Sequence, residues 1–218
     1  DPRIVPNARK MEEVTYDEML EMASLGAKVL HSRCVEIAKK YGVELLVCSS
    51  LNRNSGTMVR EKTKMEKMLI SGVAADKNVA KIRVAGLGND PESTFHLLNL
   101  LDRNNLNIDV MIQSLGKDGT KSVSFTVAKP DMLRTIDVLN DNKDSLGIKK
   151  LDYDENVAKV SVIGAGVRSH SGVAAKMFGA LANAGINTEM VTTSEIRITA
   201  LIDEAYADQA MRAIHETF

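Results

Sequence analysis

Two short polar segments occupy equivalent places in the sequence, and each has side chains that could bind an amino acid. They are Asn107-Ile108-Asp109 and Asn187-Thr188-Glu189. Ahead of each, a strand-like stretch ends in a glycine and a loop leads into a helix. Backbone N–H groups at a helix N-terminus bind carboxylates, and Asp109 or Glu189 could bind an ammonium group. We expect loop and triplet to be adjacent, which suits a zwitterionic amino acid, although the loop could equally just cap its helix while the acids face water.

The two loops differ in their capacity for an anion. The second, Arg168-Ser169-His170-Ser171-Gly172, contains a glycine that would allow the backbone to approach a ligand closely. The first, Asn89-Asp90-Pro91-Glu92-Ser93, has Asp90 as a predicted helix N-cap and Pro91 as the first helical residue. Glu92 then stands where a bound carboxylate would sit. The first loop is therefore predicted to be the poorer anion site.

Other kinds of site have weaker support. Gly164-Ala165-Gly166 after a strand imitates a dinucleotide fingerprint, but the third glycine is absent and the other repeat reads Gly86-Leu87-Gly88 at the same place. The histidines are dispersed, with no carboxylate at ligand spacing, so we expect neither a metal site nor a hydrolase triad. Cys34 and Cys48 form no CxxC pair, and we expect both to be buried thiols in a reducing cytoplasm.

The composition favours a small-molecule partner. The chain has 218 residues, of which 44% are apolar and 26% charged, and its formal net charge is -1. Such a balance favours neither nucleic acid nor an anionic membrane surface. No apolar run approaches the roughly 18 residues that cross a bilayer. We therefore expect a cytoplasmic protein without nucleic-acid or membrane partners.

A repeat organises most of the chain. One copy begins at Val79 and the other at Val157, and each is predicted to be a βαββα unit. This order implies an α+β fold of ferredoxin-like βαββαβ sandwiches, each of which needs a fourth strand. The first copy has one in Ile148–Tyr153, whereas the second ends at Phe218 without one. Met68–Val73 is therefore expected to complete the second sheet, so that the two units are intertwined.

The segment before the repeats has a different layout. Tyr16–Gly26 and Lys28–Lys40 are predicted helices and Val43–Ser50 is a predicted strand. This helix-helix-strand order looks like the end of an α/β domain. The predicted divisions are 1–60 for this remnant, 61–67 for a linker, 68–147 for the first repeat and 148–218 for the second.

Four separated segments resemble the aspartate kinase family, in the family's order. They are Asp1–Ala8, Met22–His31, Ser169–Lys176 and Thr193–Ile198. The resemblance covers the whole chain. It implies that the first segment is the end of an amino-acid-kinase catalytic domain and that the repeats are two ACT domains, the second closed by a strand from the first.

The resemblance also implies an activity for the complete enzyme. The family phosphorylates the β-carboxylate of L-aspartate with Mg-ATP, and it is inhibited by lysine, threonine or both at ACT interfaces. Arg3 and Lys28, with Val29 beside them, match positions that contact ATP, and such cations stabilise a transferring phosphoryl group. The family's other catalytic and nucleotide-binding residues should lie upstream. We therefore expect this chain alone to have no catalytic residues, no cofactor and no kinase activity.

Effector positions are implied in both repeats. They are Asn89, Asn107, Ile108, Asp109 and Gln113 in the first, and His170, Gly172, Val173, Asn187, Thr188, Ser194 and Glu195 in the second. The family's usual Lys-Pro-Gly is Asp90-Pro91-Glu92 here, which weakens the expectation for the first repeat. The proline of the family's second loop is Ser171, a milder change because Gly172 remains.

The resemblance implies a homodimer joined edge to edge through the ACT sheets. Three interpretations stay open at this point. The chain is the regulatory part of an aspartate kinase with its catalytic lobe in cis, a separate ACT regulatory subunit or amino-acid sensor that meets a catalytic chain in trans, or an enzyme that binds nucleotide and acts alone. A kinase lobe encoded in frame upstream favours the first, and a start codon near Asp1 favours the second.

Overall fold

The computed structural model describes residues 1–27, 29–51, 55–62 and 70–218. Lys28, most of the predicted linker, and Met68 and Leu69 of the predicted exchanged strand lie outside these ranges. The described chain forms two units. Asp1–Lys77 and Lys159–Phe218 make the first unit, and Asn78–Ala158 makes the second.

The N-terminal part of the first unit is a small sheet with two helices. Its strands are β1 (Glu13–Thr15), β2 (Leu45–Val47) and β3 (Thr57–Arg60), and its helices are α1 (Tyr16–Ser24) and α2 (Ser32–Tyr41). Strand β3 lies in the centre, parallel to β1 and antiparallel to β2. The layout expected from the sequence lacks β1 and β3, because strands of three or four residues are too short to show alternation.

Local chemistry explains where α1 begins. Thr15 and Glu18 form a capping box, in which the Glu18 N–H donates to Thr15 Oγ1 and the Thr15 N–H donates back to the Glu18 carboxylate. The helix then buries Met19 and Met22 against the small sheet, where Val59 of β3 is fully buried. Helix and sheet therefore share one apolar core.

The second unit is built from the first repeat. Its elements are the second part of β4 (Gly72–Leu87), then α3 (Pro91–Arg103), β5 (Met111–Leu115), β6 (Lys121–Ala128), α4 (Met132–Asp141), α5 (Lys143–Leu146) and the first part of β7 (Lys150–Ile163). The strand order is β5-β6-β4-β7, with β6 antiparallel to both β5 and β4. This is the ferredoxin-like order expected for a βαββαβ sandwich. Its core includes Ile82, Leu97, Phe125 and Leu139.

The second repeat completes the first unit. Its remaining elements are α6 (Gly166–Ser169), α7 (Gly172–Asn183), β8 (Met190–Thr193), β9 (Arg197–Asp203) and α8 (Ala207–His215). The strand order is β4-β7-β9-β8, so the fourth strand comes from upstream of the first repeat. Just ahead of β4, the Ser71 N–H donates to the Ile163 carbonyl at 2.7 Å. The fold is therefore α+β, with two ferredoxin-like units that exchange strands because β4 and β7 each run from one unit into the other.

The N-terminal residues also contribute to the core of the second repeat. Val5 and Ile70 are buried together with Met177, Leu181 and Ile214. The opening segment of the chain is thus held by apolar packing.

Cys34 and Cys48 are exposed, which corrects the expectation that both are buried. Helix α2 turns Val35 and Ala38 towards its core, so Cys34 lies on the outer side, and Cys48 follows the end of β2. Among the described helices, none is long and apolar enough to cross a bilayer.

Candidate functional site

The candidate loop of the second repeat connects β7 to α7 through the short helix α6. The Gly164 N–H donates to the Ile196 carbonyl at 2.9 Å, which attaches the loop to the turn between β8 and β9. His170 lies on the exposed side with its Nδ1 2.9 Å from Ser169 Oγ. Its carbonyl accepts from the Val173 N–H at 3.2 Å. The loop therefore has a defined conformation up to the first turn of α7.

The N-terminus of α7 has no side-chain cap. Ser171 occupies the N-cap position but makes no capping hydrogen bond. Gly172 is exposed, and a Cβ placed on it would meet no atom within 4 Å. The first N–H groups of a helix have no partner within the helix, and here the Val173 N–H already donates to the His170 carbonyl. The other N–H groups of this uncapped first turn, with open space beside Gly172, suit a carboxylate.

The turn between β8 and β9 contacts the loop that leads to this N-terminus. Arg168 Nη1 of the loop is 2.9 Å from Glu195 Oε1 of the turn, and the Ser194 N–H donates to the Arg197 carbonyl at 2.8 Å. The two charged side chains are 71% and 74% exposed, so water screens the pair and its contribution to stability is small. The structure thus brings Ser194 and Glu195 to the loop that carries His170 and Gly172.

The polar triplet of the second repeat lies elsewhere. Asn187 and Thr188 are exposed and precede β8, and the Glu189 N–H donates to the Leu201 carbonyl at 2.8 Å. The loop meets the other end of this hairpin, at Ile196. A four-residue strand at about 3.3 Å per residue separates the two places by roughly 13 Å. The expectation that loop and triplet are adjacent within one chain is therefore wrong, because the hairpin directs them to opposite ends of the sheet.

The first repeat shows the same separation. The Asp109 N–H donates to the Thr126 carbonyl at 3.1 Å, whereas the loop lies beside the start of β6, where Lys121 Nζ donates to the Asp90 carbonyl at 2.6 Å. Asn107 is exposed and Ile108 half-buried at the far end, while Asn89 is exposed in the loop. Gln113 is the predicted residue that does reach α3, where its Oε1 accepts from Thr94 Oγ1 at 2.7 Å.

The N-terminus of α3 already holds an anion of its own chain. Asp90 Oδ1 accepts from the N–H groups of Glu92 and Ser93 at 2.9 and 2.7 Å. The Ser93 hydroxyl donates to its other oxygen. The hydrogen bond from the Ser93 hydroxyl, followed by that from its N–H, lowers the pKa of Asp90 to about 2. A free carboxylate would have to displace this carboxylate, so the two loops are not chemically equivalent.

The kinase-like residues lie on the surface of the N-terminal segment. Arg3 pairs with both carboxylate oxygens of Asp1, through Nε at 3.0 and 3.1 Å and Nη2 at 2.6 Å. Val29 is 60% exposed, and Lys28 is outside the described residues. Within those residues, no group of histidine, cysteine, aspartate or glutamate side chains could hold a metal ion.

Sequence reasoning did not identify the partner of Glu195. Arg168 and Glu195 are 27 residues apart, and no spacing rule joins two loops at that distance along the chain. The opposite charges of Arg168 and Glu195 were the only sequence feature that could have suggested this contact. Sequence reasoning also missed the contacts of α1, whose Glu21 pairs with Arg197 of β9 at 2.9 Å.

Comparison with known proteins follows the same division of the chain. Residues 1–49 match the amino acid kinase family and residues 160–218 match an ACT domain family. An aspartokinase of Pseudomonas aeruginosa is 41% identical over 221 residues, which include all of this chain and 54% of that protein. The chain thus spans about half the length of the curated relatives it matches.

Two solved structures match different shares of the chain. A chain from the crystal structure of aspartokinase alpha and beta subunits is 42% identical with a TM-score of 0.64, and the match covers 68% of this chain and 98% of that one. Aspartokinase III of E. coli, in complex with lysine and aspartate, is 26% identical with a TM-score of 0.79, and the match covers 99% of this chain and 48% of that one. The sequence similarity and the fold agree, and the chain belongs to the aspartokinase family.

Proposed function

We propose that this chain is the regulatory region of an aspartate kinase and that its second ACT domain binds lysine or threonine as a feedback effector. The observation that carries the proposal is the uncapped N-terminus of α7, with open space beside Gly172. His170 lies in the loop that leads to it, and Glu195 of the β8–β9 turn contacts Arg168 of the same loop. The effector carboxylate would accept from N–H groups of the first turn of α7 other than that of Val173, which donates to the His170 carbonyl.

The ammonium group of the effector would be bound by a second copy of the chain. Strand β8 is at the edge of its sheet, and so is β5, whose five residues are all exposed. When two edge strands pair antiparallel about a two-fold axis, the beginning of one lies beside the end of the other. Such a homodimer would bring a triplet such as Asn187–Glu189 towards the loop of the other copy. The separation within one chain thereby supports a shared site.

The activity of the complete enzyme is phosphoryl transfer from Mg-ATP to the β-carboxylate of L-aspartate, yielding 4-phospho-L-aspartate. Arg3, Lys28 and Val29 would contact the nucleotide there. In this chain the Arg3 side chain is 83% exposed and pairs with Asp1. Two cations without the rest of a nucleotide pocket cannot position a triphosphate, so we propose that the chain alone has no kinase activity and that the catalytic lobe lies in the part its relatives have beyond it.

For the effector to regulate the enzyme, it must bind one conformation of the regulatory region more tightly than another. A ligand with equal affinity for both arrangements shifts neither. A coupling of about 1–3 kcal/mol would be typical of such proteins.

A separate regulatory subunit that acts in trans is the second candidate. It is favoured by the solved aspartokinase chain of which 98% is covered by this one. That match covers 68% of this chain, however, and residues 1–49 match the amino acid kinase family. The kinase segment is therefore the reason to prefer the catalytic lobe in cis.

Isothermal titration of the purified chain with lysine, then with threonine, tests the proposal. We expect saturable heat from one of them with one site per chain, because Asp90 occupies the equivalent place in the first repeat. No heat from either amino acid would refute the sensor. A parallel titration with Mg-ATP should show no binding tighter than the millimolar range, and tighter binding would contradict the proposed inactivity.

A further inference from the structure

Helix α1 of the kinase segment carries two carboxylates that contact the ends of two strands of the second ACT domain. Glu18 and Glu21 are three residues apart, so they lie on one face of the helix. Glu18 Oε1 accepts from Ser71 Oγ at 2.5 Å, just ahead of β4, and Glu21 Oε2 accepts from Arg197 Nη1 at 2.9 Å, at the start of β9. The helix is thus attached on both sides of β7, where that strand ends.

Two ion pairs involve the candidate loop of the second repeat or the turn that contacts it, and the Glu21–Arg197 pair is the less exposed to solvent of the two. Its side chains are 25% and 19% exposed, against 71% and 74% for Arg168 and Glu195. A less exposed pair is less screened, and loss of one partner leaves a charge in a poorly hydrated place. Glu21 therefore restricts where the guanidinium of Arg197 can lie.

Arg197 also has an unused donor. Its Nε is buried and makes no hydrogen bond to any described residue. An unsatisfied buried donor is costly. A side-chain position that gave the Nε–H an acceptor would therefore compensate for loss of the hydrogen bond from Nη1 to Glu21. The side chain therefore has a physical reason to adopt a second position.

The backbone of Arg197 takes part in the turn between β8 and β9. Its carbonyl accepts from the Ser194 N–H, and the preceding carbonyl, of Ile196, accepts from the Gly164 N–H where the loop begins. A ligand that moved Glu195 or the start of the loop would therefore move Arg197 as well.

Close packing prevents α1 from following such a movement gradually. Gly26, just after α1, has φ +95°, and a Cβ on it would lie 2.4 Å from the Ala75 carbonyl oxygen of β4. Met22, Leu25, Ala74 and Ile163 are buried in one cluster beside this contact. Tightly packed interfaces tend to switch between discrete arrangements.

We propose that Arg197 is a positioning residue that couples effector occupancy of the second ACT domain to helix α1 of the kinase segment through Glu21. This inference rests on the proposed function, because it needs an amino acid bound at the loop of α7. It assigns the signal to one ion pair rather than to the sheet as a whole.

The test combines amino-acid titration with hydrogen exchange of the α1 amides, Tyr16–Ser24. The variant is Glu21→Gln, and the matched control is Asp17→Asn on the same helix. Asp17 pairs with Lys39 of α2 at 2.5 Å, away from the second ACT domain. Exchange is measured with and without saturating lysine and threonine, and the stoichiometry of binding is measured for each protein.

We expect the effector to change the α1 exchange rates of the wild type and of Asp17→Asn by at least about threefold, equivalent to roughly 0.65 kcal/mol at 298 K. In Glu21→Gln the stoichiometry should be unchanged while this response is lost. The double variant with Glu21→Arg and Arg197→Glu should restore at least part of it, since the pair is reformed with its charges reversed.

Three outcomes overturn the inference. A bound effector that leaves the wild-type α1 exchange unchanged excludes coupling to α1. An equal response in Glu21→Gln and wild type excludes Arg197 as its route. Absence of binding in the wild type refutes the proposed function itself, and the titration distinguishes that failure from the other two.

Discussion

At the scale of single residues, Asp90 makes the two ACT loops chemically different. Its carboxylate accepts from two backbone N–H groups of α3, whereas Ser171 makes no side-chain cap on α7. The local part of this difference could be predicted from sequence, and Asp90 as N-cap with Pro91 as the first helical residue is confirmed. The contact of Arg168 with Glu195 could not, because it depends on how two loops meet in the folded chain.

The first residue-scale prediction concerns acid stability. The folded pKa of Asp90, about 2, lies below its ordinary value of 3.8, so its ionised form stabilises the second unit above pH about 4, and this contribution is lost as pH falls through about 2. Asp90→Asn should therefore lower the urea midpoint near neutral pH and should converge on the wild type in acid. Circular dichroism at several pH values measures this.

Asp131→Asn is the control for this comparison. Asp131 precedes α4 in the same unit but makes no side-chain cap. Asp131→Asn should leave the urea midpoint near neutral pH close to that of the wild type, because no side-chain cap is lost. A similar convergence in both variants would mean that the Asp90 hydrogen bonds are not the cause.

The second residue-scale prediction compares two glycines of α7. A Cβ on either Gly172 or Gly179 meets no atom within 4 Å, so alanine fits at both. Gly172→Ala should fill the space at the helix N-terminus and weaken effector binding by at least about tenfold, equivalent to about 1.4 kcal/mol. Gly179→Ala should leave affinity unchanged and stabilise the helix by about 0.5–1 kcal/mol. Equal affinities in the two variants would place the effector elsewhere.

At the scale of elements, long strands could be predicted from the sequence and short strands could not. The ferredoxin-like units could be predicted because strands of seven or more residues alternate visibly and the repeat displays each element twice. Strands β1 and β3 were missed because they are short and β3 adjoins a charged stretch. Their pairing depends on contacts between residues far apart in the N-terminal segment, so it cannot be predicted from a short stretch of sequence.

The element-scale prediction tests how closely α1 packs on β4. Gly26 and Gly42 both have positive φ, 95° and 65°, but only Gly26 faces a neighbouring backbone within 4 Å. Gly42→Ala should cost about 1–2 kcal/mol from backbone strain. Gly26→Ala should cost more, by at least about 1 kcal/mol, since the Ala75 carbonyl must also move. Urea unfolding measures both, and equal costs would show that the contact with β4 is loose.

At the scale of the whole molecule, the strand exchange decides how the chain is divided. The need for a fourth strand could be inferred from the sequence, because each βαββα repeat is one strand short of a ferredoxin-like βαββαβ sandwich. The expected adjacency of loop and triplet is wrong because it neglected the direction of the β8–β9 hairpin, which places them at opposite ends.

The whole-molecule prediction concerns that assembly. If edge strand β8 joins two copies, Val191→Lys on β8 should convert a dimer to a monomer in sedimentation experiments, because a lysine on an edge opposes strand pairing. Leu133→Lys on α4 is the control, since Leu133 is 68% exposed and away from the edge. If both variants remain dimeric, β8 is excluded from the interface.

The most direct test of an amino-acid sensor is an NMR titration of the 15N-labelled chain with lysine and with threonine. The account predicts that one of them shifts the amide signals of His170, Gly172, Val173, Ser194 and Glu195, and leaves those at the start of α3 unchanged. Shifts centred on Asn89 and Asp90, or none from either amino acid, would contradict it.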